Sequence, residues 1–157
     1  AQTLDTLNKA LAISQELGDK GTESTYLNNI SQVYQAQGDL EAALNYAEQD
    51  LAIVQQIGAR QGLGFTLNNL ATIYKDMGET QTALTYLHQA LEIVLEIGDK
   101  AGETSVQWNI GRLHQGQGEF SRAEPYLRQA VELAKYLQDP ELERMRRTLE
   151  EVRAQLE

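Results

Sequence analysis

Asn29, Asn69 and Asn109 recur at intervals of 40 residues. A side-chain amide carries two N–H donors and an acceptor oxygen. On one surface, a ladder of such amides would pair with the backbone of an extended peptide without reading its sequence. The alternative is that each amide satisfies polar groups on a neighbouring helix. Phe65 and Trp108 are the aromatic candidates for seating an apolar side chain of a partner, as interface anchors do. Burial inside a locally altered repeat is the other reading of both. Lys75 and Arg112 would either meet an acidic ligand group or balance Asp76. His88 and His114 fall on different helices with no companion at metal-ligand spacing. No serine lies in a glycine elbow, no glycine-rich phosphate loop occurs, and no catalytic constellation is found. With no cysteine in the chain, neither a thiolate metal site nor a disulfide framework can form. The expectation is binding without catalysis, metal or cofactor.

Those asparagines belong to a longer recurrence. Leu27, Asn28, Asn29, Ile30, Tyr34 and Gly38 return as Leu67, Asn68, Asn69, Leu70, Tyr74 and Gly78, then in altered form as Gln107, Trp108, Asn109, Ile110, His114 and Gly118. Ala43, Ala83 and Ala123 repeat as well, followed by Tyr46, Tyr86 and Tyr126. Aligning 21–60 on 61–100 without a gap gives 14 identities. A period of this length signals stacked units, none of which can bury its apolar face alone.

Each unit reads as two helices, about 21–37 and 41–57 in the first, from helical apolar spacing between glycines. Gly38, Gly78 and Gly118 mark the reversal inside a unit; Gly18, Gly58 and Gly98 mark its end, a common left-handed C-cap position. The expected division is 1–20 as the second helix of a truncated repeat, repeats at 21–60, 61–100 and 101–139, and a capping helix over 140–157. Asp139 would cap that last helix and Pro140 would open it. Leu142, Met145, Leu149, Val152 and Leu156 would form its apolar stripe. Eight helices result. In the third repeat, Gln107 and His114 predict looser packing, and Pro125 is tolerable if its helix starts near 122.

Net charge is −10. Nucleic acid and anionic lipid both require a basic footprint, so neither is an expected partner. No apolar run approaches the roughly 20 residues of a membrane span, and the first residues do not read as a signal peptide. The lack of cysteine fits a reducing, cytoplasmic compartment.

The recurrent leucine, the small residue at Ser31, Ala71 and Gly111, the aromatic at Tyr34 and Tyr74, the turn glycines and the three alanines resemble the tetratricopeptide repeat. The variety is the longer one of about 40 residues, as in kinesin light chain, the Pins/LGN adaptors and repeat regions of bacterial signalling proteins. The resemblance implies an all-α, right-handed α-solenoid of stacked antiparallel helix pairs, whose first helices line a concave groove. It carries a peptide-binding role onto Asn28, Asn29, Gln32, Phe65, Asn68, Asn69, Thr72, Lys75, Trp108, Asn109 and Arg112. The expected function is a non-catalytic interaction module of a larger adaptor or regulator, holding a partner's peptide segment in that groove. The alternative is a self-assembly scaffold that stacks through the N-terminal repeat edge.

Overall fold

In a computed structural model, which describes residues 2–157, the chain folds as eight α-helices: α1 Gln2–Leu17, α2 Lys20–Gln37, α3 Leu40–Gln56, α4 Arg60–Asp76, α5 Thr80–Ile97, α6 Lys100–Gly116, α7 Phe120–Leu137 and α8 Leu142–Arg153. The turns are punctuated every 20 residues. Gly18, Gly38, Gly58, Gly78, Gly98 and Gly118 all take positive φ, between 66° and 85°. A left-handed residue at a helix end lets the chain reverse while its N–H groups pair with the last carbonyls, and glycine does this without a Cβ clash. The next helix then starts within two or three residues. Asp19, Asp39 and Asp99 cap α2, α3 and α6 by accepting the backbone N–H of Thr22, Ala42 and Gly102. Glu79 and Glu119 stand in the same place before α5 and α7, yet their longer side chains make no cap bond.

The seventh residue of the series is Gln138, at φ 57°. A side chain in the left-handed region costs roughly 1–2 kcal/mol. Gln138→Gly is therefore expected to raise stability by about 1 kcal/mol, read as a higher urea midpoint at unchanged m-value. An unchanged or lower midpoint would show that Gln138 makes a compensating contact.

Consecutive helices pack antiparallel, and the contacts repeat with the period. Ala43, Ala83 and Ala123 are completely buried between the two helices of their repeats. Tyr34 stacks on Tyr46 at 5.5 Å and Tyr74 on Tyr86 at 5.4 Å. The third repeat is not looser, contrary to the sequence expectation. His114 keeps the stack on Tyr126 at 5.9 Å, and its Nδ1 lies 2.7 Å from a Glu119 carboxylate oxygen. Gln107 and His114 are both buried. Gly111 lets Leu127 press directly on the backbone of α6.

Two helix boundaries also differ from expectation. α7 begins at Phe120, so Pro125 lies inside it. Pro125 and Ser121 are exposed, so the carbonyl that loses its partner to the proline can turn to solvent. α8 is shorter than 140–156. Pro140 remains in a turn closed by Asp139, whose carboxylate accepts the Glu141 N–H at 2.7 Å. At the far end the chain tightens into bonds from Gln155 to Val152 and from Leu156 to Arg153. That tightening leaves Leu156 exposed and off the apolar stripe. Met145, Leu149 and Val152 do bury, against Ala123, Leu127, Val131 and Ala134 of α7.

Candidate functional site

α2, α4 and α6 bring their polar residues together across successive repeats. The Asn69 amide of α4 donates to Asn28 Oδ1 of α2 at 3.0 Å, and the Asn109 amide of α6 donates to Asn68 Oδ1 of α4 at 2.9 Å. Both pairs span 41 residues. The bonds interlock the second asparagine of one repeat with the first asparagine of the repeat before. Asn28 and Asn69 are buried, so an unmade bond there would leave a desolvated amide. Gln35 extends the lacing by donating to the Asp76 carboxylate at 2.6 Å and to Thr72 Oγ1 at 3.3 Å. Thr72 itself donates to the Asn69 carbonyl.

The sequence ladder is thereby divided. Asn69 and Asn109 each commit an N–H to the scaffold. Asn29 is half-buried and its side chain makes no hydrogen bond among the described residues. Trp108 stands at the position of Asn28 and Asn68, and the residue 41 positions further on is Leu149. Leu149 belongs to the cluster between α7 and α8, and Trp108 packs against that cluster. The guanidinium groups of Arg112 and Arg144 lie 5.8 and 5.6 Å from its ring centre. Trp108 is half-buried and packs at the junction with α8. Lys75 pairs with Asp76 at 3.1 Å and Arg112 donates to Gln115 at 2.8 Å. Gln32 is exposed on α2.

A cavity of about 700 Å³ opens on the α2, α4 and α6 side, near the N-terminal ends of α4 and α6. Of the expected site residues it brings together Asn28, Asn29, Phe65 and Asn68; Gln32, Asn69, Thr72, Lys75, Trp108, Asn109 and Arg112 do not line it. Phe65 is 54% exposed, an open aromatic face beside Asn29. Gly62, Gly64 and Gly102 make the room. A Cβ on Gly64 would lie 3.2 Å from Val94 and 3.3 Å from Ile93.

Sequence reasoning missed the residues at the bottom of this cavity. Asp50 of α3 is only 2% exposed. It accepts from the Ser24 hydroxyl of α2 and, at 2.7 Å, from the Thr66 hydroxyl of α4. Burial pushes its carboxyl above the usual carboxylate range, and the two hydroxyl bonds oppose that shift. The signal was a break in the repeat: the aligned positions are Ala10, Ala90 and Ala130. The cavity's ionisable lining residues are Asp50 and Asp99. Its charge is thus opposite to the preference that Lys75 and Arg112 suggested.

Antiparallel helix pairs stacked into a right-handed superhelix, with an amide-lined cavity on the face of the first helices, define an α-solenoid repeat scaffold. Residues 1–56 and 63–135 match the tetratricopeptide repeat family, and the chain belongs to it. The fold is similar to the crystal structure of BtubC from P. vanneervenii, at TM-score 0.85 and 23% identity over 96% of this chain and 63% of that one. It is equally similar to the apo form of RapI, at TM-score 0.85 and 21% identity, covering 98% of this chain and 43% of that one. A kinesin light chain-type protein of Podosopora anserina with nearly identical repeats superposes at TM-score 0.72 and 18% identity, over 98% of this chain and 77% of that one. This chain therefore spans less than two thirds of the length of BtubC and RapI. No curated protein sequence matches significantly. Tetratricopeptide repeats generally mediate protein–protein interaction. Among the described residues no helix is long and apolar enough to cross a membrane, and no cluster of three or more His, Asp or Glu side chains is placed to hold a metal ion.

Proposed function

We propose that this chain is a non-catalytic binding module that holds a peptide segment of a partner protein in the groove along α2, α4 and α6, within a larger adaptor or regulatory protein. The observation that carries the reading is the cavity that sets Asn29 and Asn68 beside the open ring of Phe65. Family membership supports the interaction role, and the greater length of BtubC and RapI supports a larger parent chain. An extended segment rises about 3.3 Å per residue, so a short one can reach both Asn29 and Asn68. Its backbone would pair with the amides while Phe65 covers an apolar side chain.

Changing all three recurrent asparagines would also unlock the repeats, because Asn69 and Asn109 hold Asn28 and Asn68. Asn29→Ala and Phe65→Ala are the clean variants. The double change is expected to weaken peptides selected on an array by at least tenfold, since a lost hydrogen bond costs roughly 0.5–1.5 kcal/mol and an anchor truncation more than about 1 kcal/mol. Its helicity and melting temperature should match the parent. Equal affinities for parent and double variant would remove the groove from the mechanism.

A further inference from the structure

Asp50 is an anomaly of the repeat. A buried carboxylate is expensive, while a methyl suffices at the same place on α5 and α7, where Ala90 and Ala130 are fully buried. Its two hydroxyl donors are equally local. Ser24 aligns with Gly64 and Thr104, and Thr66 aligns with Tyr26 and Val106. The Ser24, Asp50 and Thr66 trio therefore exists at the α2–α3–α4 junction and at no other. A carboxylate offers about four acceptor sites, and these two hydroxyls fill two of them.

The surroundings select what fills the rest. Asp99 stands across the cavity, and its side chain caps α6 through the Gly102 N–H. No lysine, arginine or histidine lines the cavity. The neutral polar atoms nearest the mouth include Asn29 and Ser105, both able to accept from an ammonium or guanidinium. Phe65 adds a ring face, which attracts cations through its quadrupole. The glycines at 62, 64 and 102 leave width for a long side chain to descend.

We infer that this cavity is a specificity pocket for a basic side chain, lysine or arginine, of the bound peptide, with Asp50 at its floor as the counter-charge. The inference rests on the groove reading above. It explains why the chain keeps a buried acid where alanine would pack: perturbed carboxylates concentrate at functional sites because binding, not folding, uses the charge. The exposed Lys75 and Arg112 have partners of their own and do not line the cavity.

The test uses an array of nine-residue peptides of randomised sequence, with the central position fixed as lysine, norleucine or glutamate. Parent protein is expected to favour the lysine set over norleucine by at least tenfold and to reject the glutamate set. Asp50→Asn keeps the size and an acceptor for the hydroxyls, so it should fold with an unchanged or higher melting temperature. It should also lose most of the lysine preference while binding the norleucine set as before. A lysine preference that survives Asp50→Asn overturns the inference, as does the absence of any such preference in the parent. In either case, if Asn29→Ala with Phe65→Ala still weakens the peptides that bind, the groove reading stands alone. No binding to any set overturns both. Should Asp50→Asn unfold, Asp50→Ala with Ser24→Gly supplies the residues of the next repeat, Ala90 and Gly64, and the same loss of preference is expected from it.

Discussion

Ending the chain at Asp139 is expected to produce a protein that aggregates or melts far below the parent. α8 buries Met145, Leu149 and Val152 at 5%, 6% and 0% exposure. Each such side chain contributes roughly 1.5–3 kcal/mol when removed from water. The same removal bares Leu127, Val131 and Ala134 of α7, and the Trp108 ring loses the Arg144 guanidinium above it. The conformational entropy regained by a freed helix offsets part of this loss. What remains is large beside a total stability of about 5–15 kcal/mol, and the bared strip is a route to association. The outward face of α8 carries the compensating feature, with Arg144 paired to Glu141 and Arg146 to Glu143 in solvent. Light scattering and a thermal melt decide the matter. A monomer with the parent's melting temperature would show that α7 needs no cover from α8.

The second large effect is expected at the closest helix contacts. A Cβ placed on Gly111 would lie 2.6 Å from Leu127 Cγ and 3.1 Å from the Leu127 backbone nitrogen. The second distance matters more, because a leucine tip can rotate and a backbone atom cannot. Gly111→Ala should gain up to about 1 kcal/mol of helix propensity and still lose stability, since overpacking costs roughly 1–3 kcal/mol. Ala83→Leu adds more volume at a position with no exposed surface, and it is expected at the upper end of that range or beyond. For a chain of this size, losses of 1–3 kcal/mol correspond to melting temperatures lower by about 2–12 °C. The exposed neighbour Gln89→Leu on α5 serves as the control, with a change within about 0.5 kcal/mol. Ala83→Leu melting like that control would mean that α4 and α5 can move apart without penalty.

Much of this architecture could be read from residue order because its causes are local. Whether a segment forms a helix depends on spacing within a few turns, and Leu84, Leu87, Leu91 and Val94 state that spacing plainly. Whether the chain reverses depends on one residue's tolerance of positive φ, and six glycines at equal intervals declare it. Repetition then multiplies each weak signal, so the family and the solenoid followed from 27–38 matching 67–78. The errors in helix assignment were at helix ends. Pro125 and Pro140 each permit more than one starting residue, and neighbouring hydrogen bonds chose between them.

Which amides pair within the scaffold was undecided at that level, because an asparagine serves a partner or its own scaffold with the same atoms. Tertiary packing decided it by setting successive repeats 41 residues apart at the contact, one step off the sequence period of 40. That offset turns Asn69 and Asn109 inward, onto Asn28 and Asn68 of the preceding repeat. It also brings Trp108 to the cluster that contains Leu149. Asp50 acquires Ser24 and Thr66 from 26 and 16 residues away, a meeting that no helical period encodes. The sequence by itself determined the helices, their turns and their stacking, since those follow from local geometry and apolar periodicity. The polar chemistry of the groove was decided by the tertiary structure, because a buried donor or acceptor takes whichever partner the packing brings within about 3 Å.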